Sequence, residues 1–454
     1  MSFFDDVATL NRHIDNGYPS RNSNASYLSG TQAASFMSQE SRDALDNRFS
    51  SFSINIPRLI ISALSERIKL HGFKVGGDTG RLAETFDRVD LANVAEQIHR
   101  DMLAFGQAAV SVWANSAGKP VVSVEPVHSV AFRRDPATSQ VVSALKRWRD
   151  ADGTPRAVYF TDQWIRHLVH NGWKSTGGVE TFPADGWTTS SREANPYGVI
   201  PLVPFTNRGS WLTPDGVSEI EDVKNLVDAL SKTVADSLVT SEHYARPRRY
   251  ATGLELIEDE NGDEKVPFDT SRDSLWVSED PETRFGSFEA SSLAGYSGQV
   301  QMILQLIAAV SSLPPHYLSP NGELPSADAL RSSEASLVAR VRSIQSSITR
   351  SWALVGALLL ATADDSVIDP LSVEVDPVFG QIESRTGAQQ TDSAAKLVSI
   401  GVPLTVALER EMGWSPEEIR AVSLAQRSDA VNRAATDALA PARPAQARAE
   451  AGAQ

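Results

Sequence analysis

Residues 304–315, LQLIAAVSSLPP, end an apolar helix at two consecutive prolines, and residues 319–325, SPNGELP, form a polar link to a longer segment that begins at Ser326. Within that segment the large apolar residues recur in steps of three, four or seven, which places them on one face of a helix. They are Leu330, Leu337, Val341, Ile344, Ile348, Trp352, Val355 and Leu359. As a helix, residues 327–361 would span about 50 Å, and a helix that long usually crosses a structure or belongs to an assembly. The pattern predicts a helix, an exposed loop and a long helix.

The composition is that of a folded protein with one exception. The 454 residues can bury a large core, and this length allows about two to four domains. Hydrophobic residues make up 41% and charged residues 22% of the chain, close to globular averages. Residues 434–454 differ, because they are low in complexity and Leu439 is their only large apolar residue. We expect these last residues to be disordered.

The sequence carries no pattern typical of export or membrane insertion. The absence of cysteine excludes disulfides, thiolate metal sites and cysteine nucleophiles. The first residues, MSFFDD, are acidic and lack an apolar signal core, and the longest apolar run, residues 352–361, is shorter than the roughly 18 residues that a membrane span needs. We expect a soluble protein that is cytoplasmic or indifferent to redox state.

The net charge of -15, from 42 basic and 57 acidic residues, argues against tight general binding to nucleic acid, because such binding depends on phosphate neutralisation. It is compatible with a surface past which DNA slides, since like charges repel and salt screens that repulsion beyond roughly 8 Å. Many acidic enzymes carry a similar charge. The charge therefore leaves both a conduit and an enzyme open.

The N-terminal part is predicted to be an arm followed by helices. Residues 1–50 are polar and rich in serine and asparagine, which indicates short helical fragments at best. An amphipathic helix follows Pro57 and is expected to stop at His71. Another helix is predicted over residues 91–105, with Gly106 closing it.

From residue 108 the apolar period changes to two, which predicts a small β domain fused to the helices. Turn residues separate the short antiparallel strands at residues 115–118, 135–136 and 152–153, and one more extended segment follows at residues 201–205.

The second half begins with SEIE at residues 218–221, a capping box that predicts a helix running to about Tyr244. A second β patch follows, with a hairpin at Asn261-Gly262. Residues 371–375 alternate as a strand does. The remaining C-terminal helices are predicted at residues 391–399, at residues 405–412 and from Ser415 onward.

Two patterns imitate metal sites without completing them. His167 and His170 are three residues apart, but the stretch has the pattern of a strand, so we interpret them as structural or surface histidines. Three residues imitate the start of a calcium loop, namely Asp259, Asn261 and Asp263. Glu264 occupies the position where such a loop requires glycine. We predict no metal site.

The motifs of common enzymes are missing. The glycines between residues 72 and 80 are not followed by the Lys-Ser or Lys-Thr of a phosphate-binding loop, and no Gly-x-Ser-x-Gly elbow occurs. Asp364 and Asp365 are interpreted as surface acids at a helix end. We predict no catalytic residue and no cofactor.

Arg246, Arg248 and Arg249 form the tightest basic cluster. Two interpretations stay open. The cluster could face DNA or an acidic partner, or it could offset the negative C-terminal end of the helix over residues 219–244.

Four stretches in a fixed order resemble the portal proteins of tailed bacteriophages, in the branch found in long-tailed phages of Gram-positive and actinobacterial hosts. The likeness covers about residues 20–425. The stretches are GVIPLVPFTNR at 198–208, SEIEDVKNLVDAL at 218–230, YARPRRYATG at 244–253 and LPPHYLSPNGELPSADALRSSE at 313–334.

The resemblance implies an α+β portal fold, with a mixed α/β wing, a helical stem, a small α/β clip, a long kinked helix and an α-helical crown. It divides the chain as follows: arm and wing 1–217, first stem helix 218–246, clip 247–293, second stem helix 294–313, tunnel loop 314–325, long wing helix and return strand 326–379, crown 380–433 and disordered tail 434–454.

The resemblance also implies a homo-oligomeric ring, usually a dodecamer, at one capsid vertex of the virion, assembled in the host cytoplasm. Expected partners are double-stranded DNA passing non-specifically through the channel, the terminase large subunit, a head-tail adaptor, and the major capsid and scaffolding proteins, without a membrane. The tunnel-loop residues expected to face DNA are Ser319, Asn321, Gly322, Glu323 and Ser326. Some portal proteins carry lysines in this loop, whereas this one carries Glu323.

Two other classes stay open on the residues alone. One is a polysaccharide-acting or other hydrolase that uses scattered carboxylates. The other is a non-portal capsid or adaptor protein, which should lack the helix-loop-helix unit of residues 294–361. A native mass measurement separates them from a ring, because a stable monomer or dimer at every concentration contradicts the portal interpretation.

Overall fold

The computed structural model describes residues 3–33, 53–172, 182–183, 185–244, 249–253, 257–258, 264–265, 281–287, 293–318, 326–363, 369–383, 387–414 and 416–439. Several predicted features lie outside these residues, namely the turn at Asn261-Gly262, the imitated calcium loop at Asp259, Asn261 and Asp263, the acids Asp364 and Asp365, and residues 440–454 of the tail.

Helices and strands are mixed, as the sequence predicted. The helices are α1 (Phe3–Ser29), α2 (Ile56–Ser65), α3 (Ala83–Arg88), α4 (Leu91–Phe105), α5 (Lys224–Tyr244), α6 (Ala294–Ser311), α7 (Ala327–Ala363), α8 (Gly387–Ser399), α9 (Leu404–Ala407) and α10 (Pro416–Leu439). The strands are β1 (Leu70–Val75), β2 (Gln107–Ala114), β3 (Pro120–Glu125), β4 (Val130–Arg134), β5 (Val141–Arg149), β6 (Pro155–Phe160), β7 (Trp164–Val169), β8 (Thr188–Ala194), β9 (Leu202–Thr206), β10 (Arg249–Thr252), β11 (Ile257–Glu258), β12 (Glu264–Lys265), β13 (Arg284–Ser287) and β14 (Val375–Phe379).

The predicted β domain is two antiparallel sheets. Strands β4-β5-β6-β7-β8 form a five-stranded sheet in sequence order, and β3-β2-β9 form a three-stranded sheet. β8 was not predicted, because its residues TTSSREA are all exposed and show no apolar alternation. Two small pairs, β10 with β13 and β11 with β12, lie between α5 and α6 in the chain. The β11–β12 pairing brackets the predicted hairpin turn.

Residues 3–29 of the N-terminal arm form one long helix, so the prediction of short helical fragments is wrong for this part of the arm. Tertiary contacts stabilise α1 where local propensity does not, even with Pro19 inside it. Its apolar residues pack on the five-stranded sheet. Asp6 is buried on the same face and accepts hydrogen bonds from Ser143 Oγ (2.7 Å) and Tyr159 OH (2.6 Å).

Long-range pairing also moves two predicted boundaries. The helix after Pro57 ends at Ser65, before the expected stop at His71. The reason is that residues 70–75 form β1, which pairs antiparallel with β14. The strand predicted over residues 371–375 accordingly begins at Val375. Helix α4 and its left-handed Gly106 cap match the prediction.

The predicted capping box is not formed. Ser218 Oγ accepts from the amide of Ile220 (3.0 Å) and donates to the carbonyl of Ala104 (2.6 Å), while Glu221 pairs with Lys224 (2.8 Å). Residues 219–223 are turns, and α5 begins only at Lys224.

The C-terminal helices appear near their predicted positions, with a π-turn over Leu408–Met412. α10 continues to Leu439, so residues 434–439, which we expected to be disordered, are helical.

Candidate functional site

Helix α7 is continuous over 37 residues and is held in the core by the predicted apolar stripe. From Leu337 to Leu359 every residue of that stripe is at most 4% exposed, and Leu330 at its start is half-buried. The helix packs on β2, β9 and β14. A single chain therefore covers the apolar stripe of this helix from Leu337 to Leu359.

The centre of α7 is fixed by Trp352. Its ring is fully buried, 4.7 Å from the ring of Phe205, and its Nε1 donates to His99 Nε2 at 3.0 Å. Burial lowers the pKa of His99 to about 4, because it disfavours the charged imidazolium. His99 is thus neutral at physiological pH and serves as an acceptor.

The start of α5 is tied to α7 through Glu219. This buried carboxylate accepts from Arg340 Nη2 (2.5 Å) and from Asn207 Nδ2 (2.8 Å). The bonds connect α7 and the end of β9 to the segment that enters α5.

The two ends of the predicted tunnel loop are held together by Arg67. Its Nη2 donates to Tyr317 OH (2.8 Å) and to Glu334 Oε1 (3.1 Å), and its Nη1 donates to the carbonyl of Ile382 (3.0 Å). Tyr317 lies in the short 3₁₀ turn at the start of the loop, and Glu334 lies in α7 after the loop. Leu318, where the loop leaves the described structure, is buried.

Of the predicted loop residues, Ser326 is described, and its role is local. It is exposed, and its Oγ accepts from the amide of Ala329 (3.3 Å), as an N-cap of α7 does. The other predicted loop residues lie outside the described part of the chain: Ser319, Asn321, Gly322 and Glu323.

The basic cluster is described only in part. Arg246 and Arg248 lie outside the described residues. Arg249 opens β10, where its backbone pairs with Ser287. The choice between a DNA-facing cluster and compensation of the helix end stays open.

Helices α5 and α6 form an antiparallel pair, because Thr240 near the end of α5 reaches Tyr296 near the start of α6, with their hydroxyl oxygens 3.2 Å apart. The inner face of α6 is buried through Ile303 and Ile307. Its other face exposes three large apolar residues at helical spacing, Met302 (56% exposed), Leu306 (46%) and Val310 (48%). We call these three residues the outer row of α6.

Neither the Arg67 contacts nor the outer row was singled out from the sequence. Arg67 and Glu334 are 267 residues apart, so no local pattern joins them. The outer row had a visible signal, since α6 is apolar nearly all round, which is typical of a helix covered on more than one side.

The described residues show little sign of metal or membrane chemistry. His167 lies on β7 and faces Glu193 of β8 at 3.2 Å. No three His, Asp or Glu side chains within the described ranges come together as a metal site requires. No helix among those residues is long and apolar enough to cross a bilayer.

Comparison with known proteins gives consistent matches. The family model described as "Phage portal protein, SPP1 Gp6-like" matches residues 8–410. The portal protein of Mycobacterium phage L5 is 24% identical over 390 residues, covering 80% of this chain and 76% of the relative. That of Mycobacterium phage D29 is 24% identical over 391 residues, covering 80% and 77%.

Solved structures of gene transfer agent (GTA) particles also match. The chain is 12% identical, with a TM-score of 0.46, to a chain in the neck of a native GTA particle computed with C12 symmetry, covering 80% of this chain and 90% of that one. For the neck of an empty GTA particle computed with C6 symmetry, the values are 13% and 0.46, covering 81% and 91%. The portal interpretation of the four sequence stretches is confirmed by the family model, which matches most of the chain: this protein belongs to the phage portal protein family of the SPP1 Gp6-like type.

Proposed function

We propose that copies of this chain assemble into a closed ring, twelve in number as the resemblance implies, at one vertex of a phage capsid. Double-stranded DNA passes through the ring during packaging and ejection. The observation that carries the proposal is the outer row of α6, three large apolar side chains that remain about half exposed on a helix already buried through Ile303 and Ile307.

A bare apolar row on a well-packed helix fits an assembly better than a monomer. These side chains are already about half buried, so covering the rest of each one gains about half of the roughly 1.5–3 kcal/mol that burial of a fully exposed side chain supplies. The family to which the chain belongs supplies the kind of assembly. A ring of identical copies covers the row on every subunit at once, with no open end.

We assign the ring's parts as follows. The pair α5–α6 is the stem, β10–β13 form the clip, α7 and β14 are the long wing helix and its return strand, and α8–α10 form the crown. Residues 314–325 form the tunnel loop that faces DNA, and Arg67 joins Tyr317 at its start to Glu334 of α7. Glu323 and the net charge of -15 keep the DNA path repulsive, so the duplex slides without being gripped.

The terminase large subunit and later a head-tail adaptor dock at the clip, and the major capsid and scaffolding proteins contact the wing. The protein is a structural part of the virion and assembles in the host cytoplasm. It acts by guiding DNA through the ring, without a catalytic site of its own.

The experiment is native mass measurement of the full chain over a range of concentrations, with negative-stain images of the particles. We expect rings for the unmodified protein. Met302→Asp/Leu306→Asp should remain monomeric with an unchanged circular dichroism spectrum, because charge on the outer row cannot be buried between copies.

Leu371→Asp is the matched control, because Leu371 is also apolar and 70% exposed but lies outside the stem. This variant should assemble normally. A protein that stays monomeric or dimeric at every concentration would overturn the proposal.

A further inference from the structure

The connection between β9 and α5 presents the two most exposed large apolar side chains among the described residues. Trp211 is 85% exposed and its neighbour Leu212 is 82% exposed. We call these two residues the Trp211 tip. Tryptophan buries 150–250 Å² when covered and is enriched at protein interfaces, so such a pair on a surface marks a contact site.

The Trp211 tip sits on a closed turn. The amide of Ser210 donates to the carbonyl of Thr213 (3.2 Å), and the amide of Thr213 donates to Ser210 Oγ (3.2 Å). Their two hydroxyl oxygens are 2.8 Å apart. The two apolar side chains are therefore presented by a defined backbone.

The base of this turn is anchored to the core. The amide of Asn207 donates to the carbonyl of Gly106 (2.8 Å), and the amide of Val217 donates to the carbonyl of Asn207 (2.8 Å). Gly216 has a positive φ of +79°, and a Cβ there would lie 2.3 Å from the carbonyl oxygen of Gly106. Asp215 pairs with His13 of α1 at 2.6 Å. Because the tip is already ordered, its docking loses little further conformational entropy.

The base of the Trp211 turn and the outer row lie toward the same end of the stem. Arg208 in that base pairs with Asp222 just before α5, and the outer row occupies the second half of α6. Since the two helices are antiparallel, the start of α5 lies beside the end of α6. Both apolar surfaces remain bare in the single chain, so neither covers the other within one subunit.

We propose that the Trp211 tip of one copy packs on the outer row of the next copy around the ring. The contact is heterologous, because it joins two different surfaces, and a heterologous contact forms a ring when the rotation that it sets between neighbouring copies closes. Met302 suits this role, since its flexible thioether adapts to an aromatic ring. We choose a second copy as the partner because the same contact, repeated around the ring, covers both the Trp211 tip and the outer row on every subunit. This inference rests on the proposed ring and names its contact.

The first test joins the two surfaces covalently. The chain contains no cysteine, so thiols introduced by Leu212→Cys and Val310→Cys are the only ones present, and Trp211, Met302 and Leu306 stay intact. Bis-maleimidoethane links two nearby thiols, each adding across one maleimide double bond, and needs no oxidant. We expect a ladder of covalent oligomers on a denaturing gel.

The matched control is Leu371→Cys/Val310→Cys, in which the first thiol has a similarly exposed position. It should give no ladder. Rings that are intact by native mass yet give no ladder with Leu212→Cys/Val310→Cys overturn the contact and leave the ring standing. Absence of rings from the unmodified protein overturns the ring itself.

If the Leu212→Cys/Val310→Cys substitutions themselves prevent ring assembly, a single substitution still tests the proposed contact. Trp211→Ser should lose the rings while its monomer unfolds at the same denaturant concentration as the unmodified monomer, because this side chain touches solvent there. Leu371→Ser should keep the rings. Normal assembly of Trp211→Ser would overturn the contact.

Discussion

Helices α6 and α7 lie on either side of residues 319–325 in the chain. Each carries a row of large apolar side chains, but the two rows differ in how far the single chain buries them. The stripe of α7 from Leu337 to Leu359 is covered by the chain's own sheets and helices. The outer row of α6 remains about half exposed, although the adjoining face of the same helix is buried. The difference teaches that the pattern in α7 serves the stability of the subunit, whereas the pattern in α6 is left over for the assembly that we propose. Substitutions in α7 should lower the free energy of unfolding, whereas those in the outer row should change the mass of the particle.

The largest effect is expected for Trp352→Ala. The ring is fully buried against Phe205, so its removal leaves a cavity and should cost about 3–5 kcal/mol of unfolding free energy. Urea unfolding of the monomer measures this loss. If Trp352→Ala and Leu306→Ala lowered the unfolding free energy of the monomer by similar amounts, the distinction between a buried stripe in α7 and an outer row in α6 would be wrong.

The next effect is a pH dependence centred on His99, which lies against the middle of α7. The pKa of His99 is about 4 in the folded chain against 6.5 ordinarily, so between these values the unfolded chain binds a proton that the folded chain excludes. The contribution of His99 to the unfolding free energy is therefore fully present above pH 6.5. It should fall by about 3 kcal/mol as the pH drops toward 4, at roughly 1.36 kcal/mol per pH unit.

His99→Gln keeps an acceptor for Trp352 without titrating. The unfolding free energies of this variant and of the unmodified protein, compared near pH 7 and near pH 4.5, isolate the His99 contribution from that of other groups. Equal pH dependence in the two proteins would mean that His99 is not held neutral by the fold.

A smaller effect is expected for Arg67→Met. This change removes the bonds to Tyr317, Glu334 and Ile382 that hold the loop ends, and should cost about 2 kcal/mol, because Glu334 is then left partly buried without its cation. Arg342→Met is the control. Its pair with Glu383 is largely exposed, so its loss should cost under about 1 kcal/mol. Equal midpoints of urea unfolding in the two variants would argue against a special role for Arg67.

The parts of the fold that could be predicted are those whose signal is local. The stripe of α7 and the left-handed cap at Gly106 follow from spacing and residue type within a few turns. The polar α1 and the polar edge strand β8 could not be predicted, because tertiary contacts stabilise them instead of a visible apolar period.

The candidate site also combines features with a local sequence signal and features that only long-range contacts create. The break at Pro314-Pro315 and the long helix were visible in the sequence, but Arg67 reaches Glu334 across 267 residues through the fold alone. Ser326, expected to face DNA, is the N-cap of α7. The DNA-facing roles of Asn321 and Glu323 stay predictions.

The smallest effect on the subunit, and the sharpest separation of the two helices, is expected for Leu306→Ser. The side chain is 46% exposed in the single chain, so about half of its burial is already present in the monomer, and its loss should cost about 1 kcal/mol of unfolding free energy. In the ring the same position would lie between copies, where a polar hydroxyl replaces apolar contact on every subunit. We expect native mass measurement to show rings only at higher protein concentration than for the unmodified protein. A variant that is destabilised far more than this as a monomer but assembles normally would reverse the roles assigned to α6 and α7.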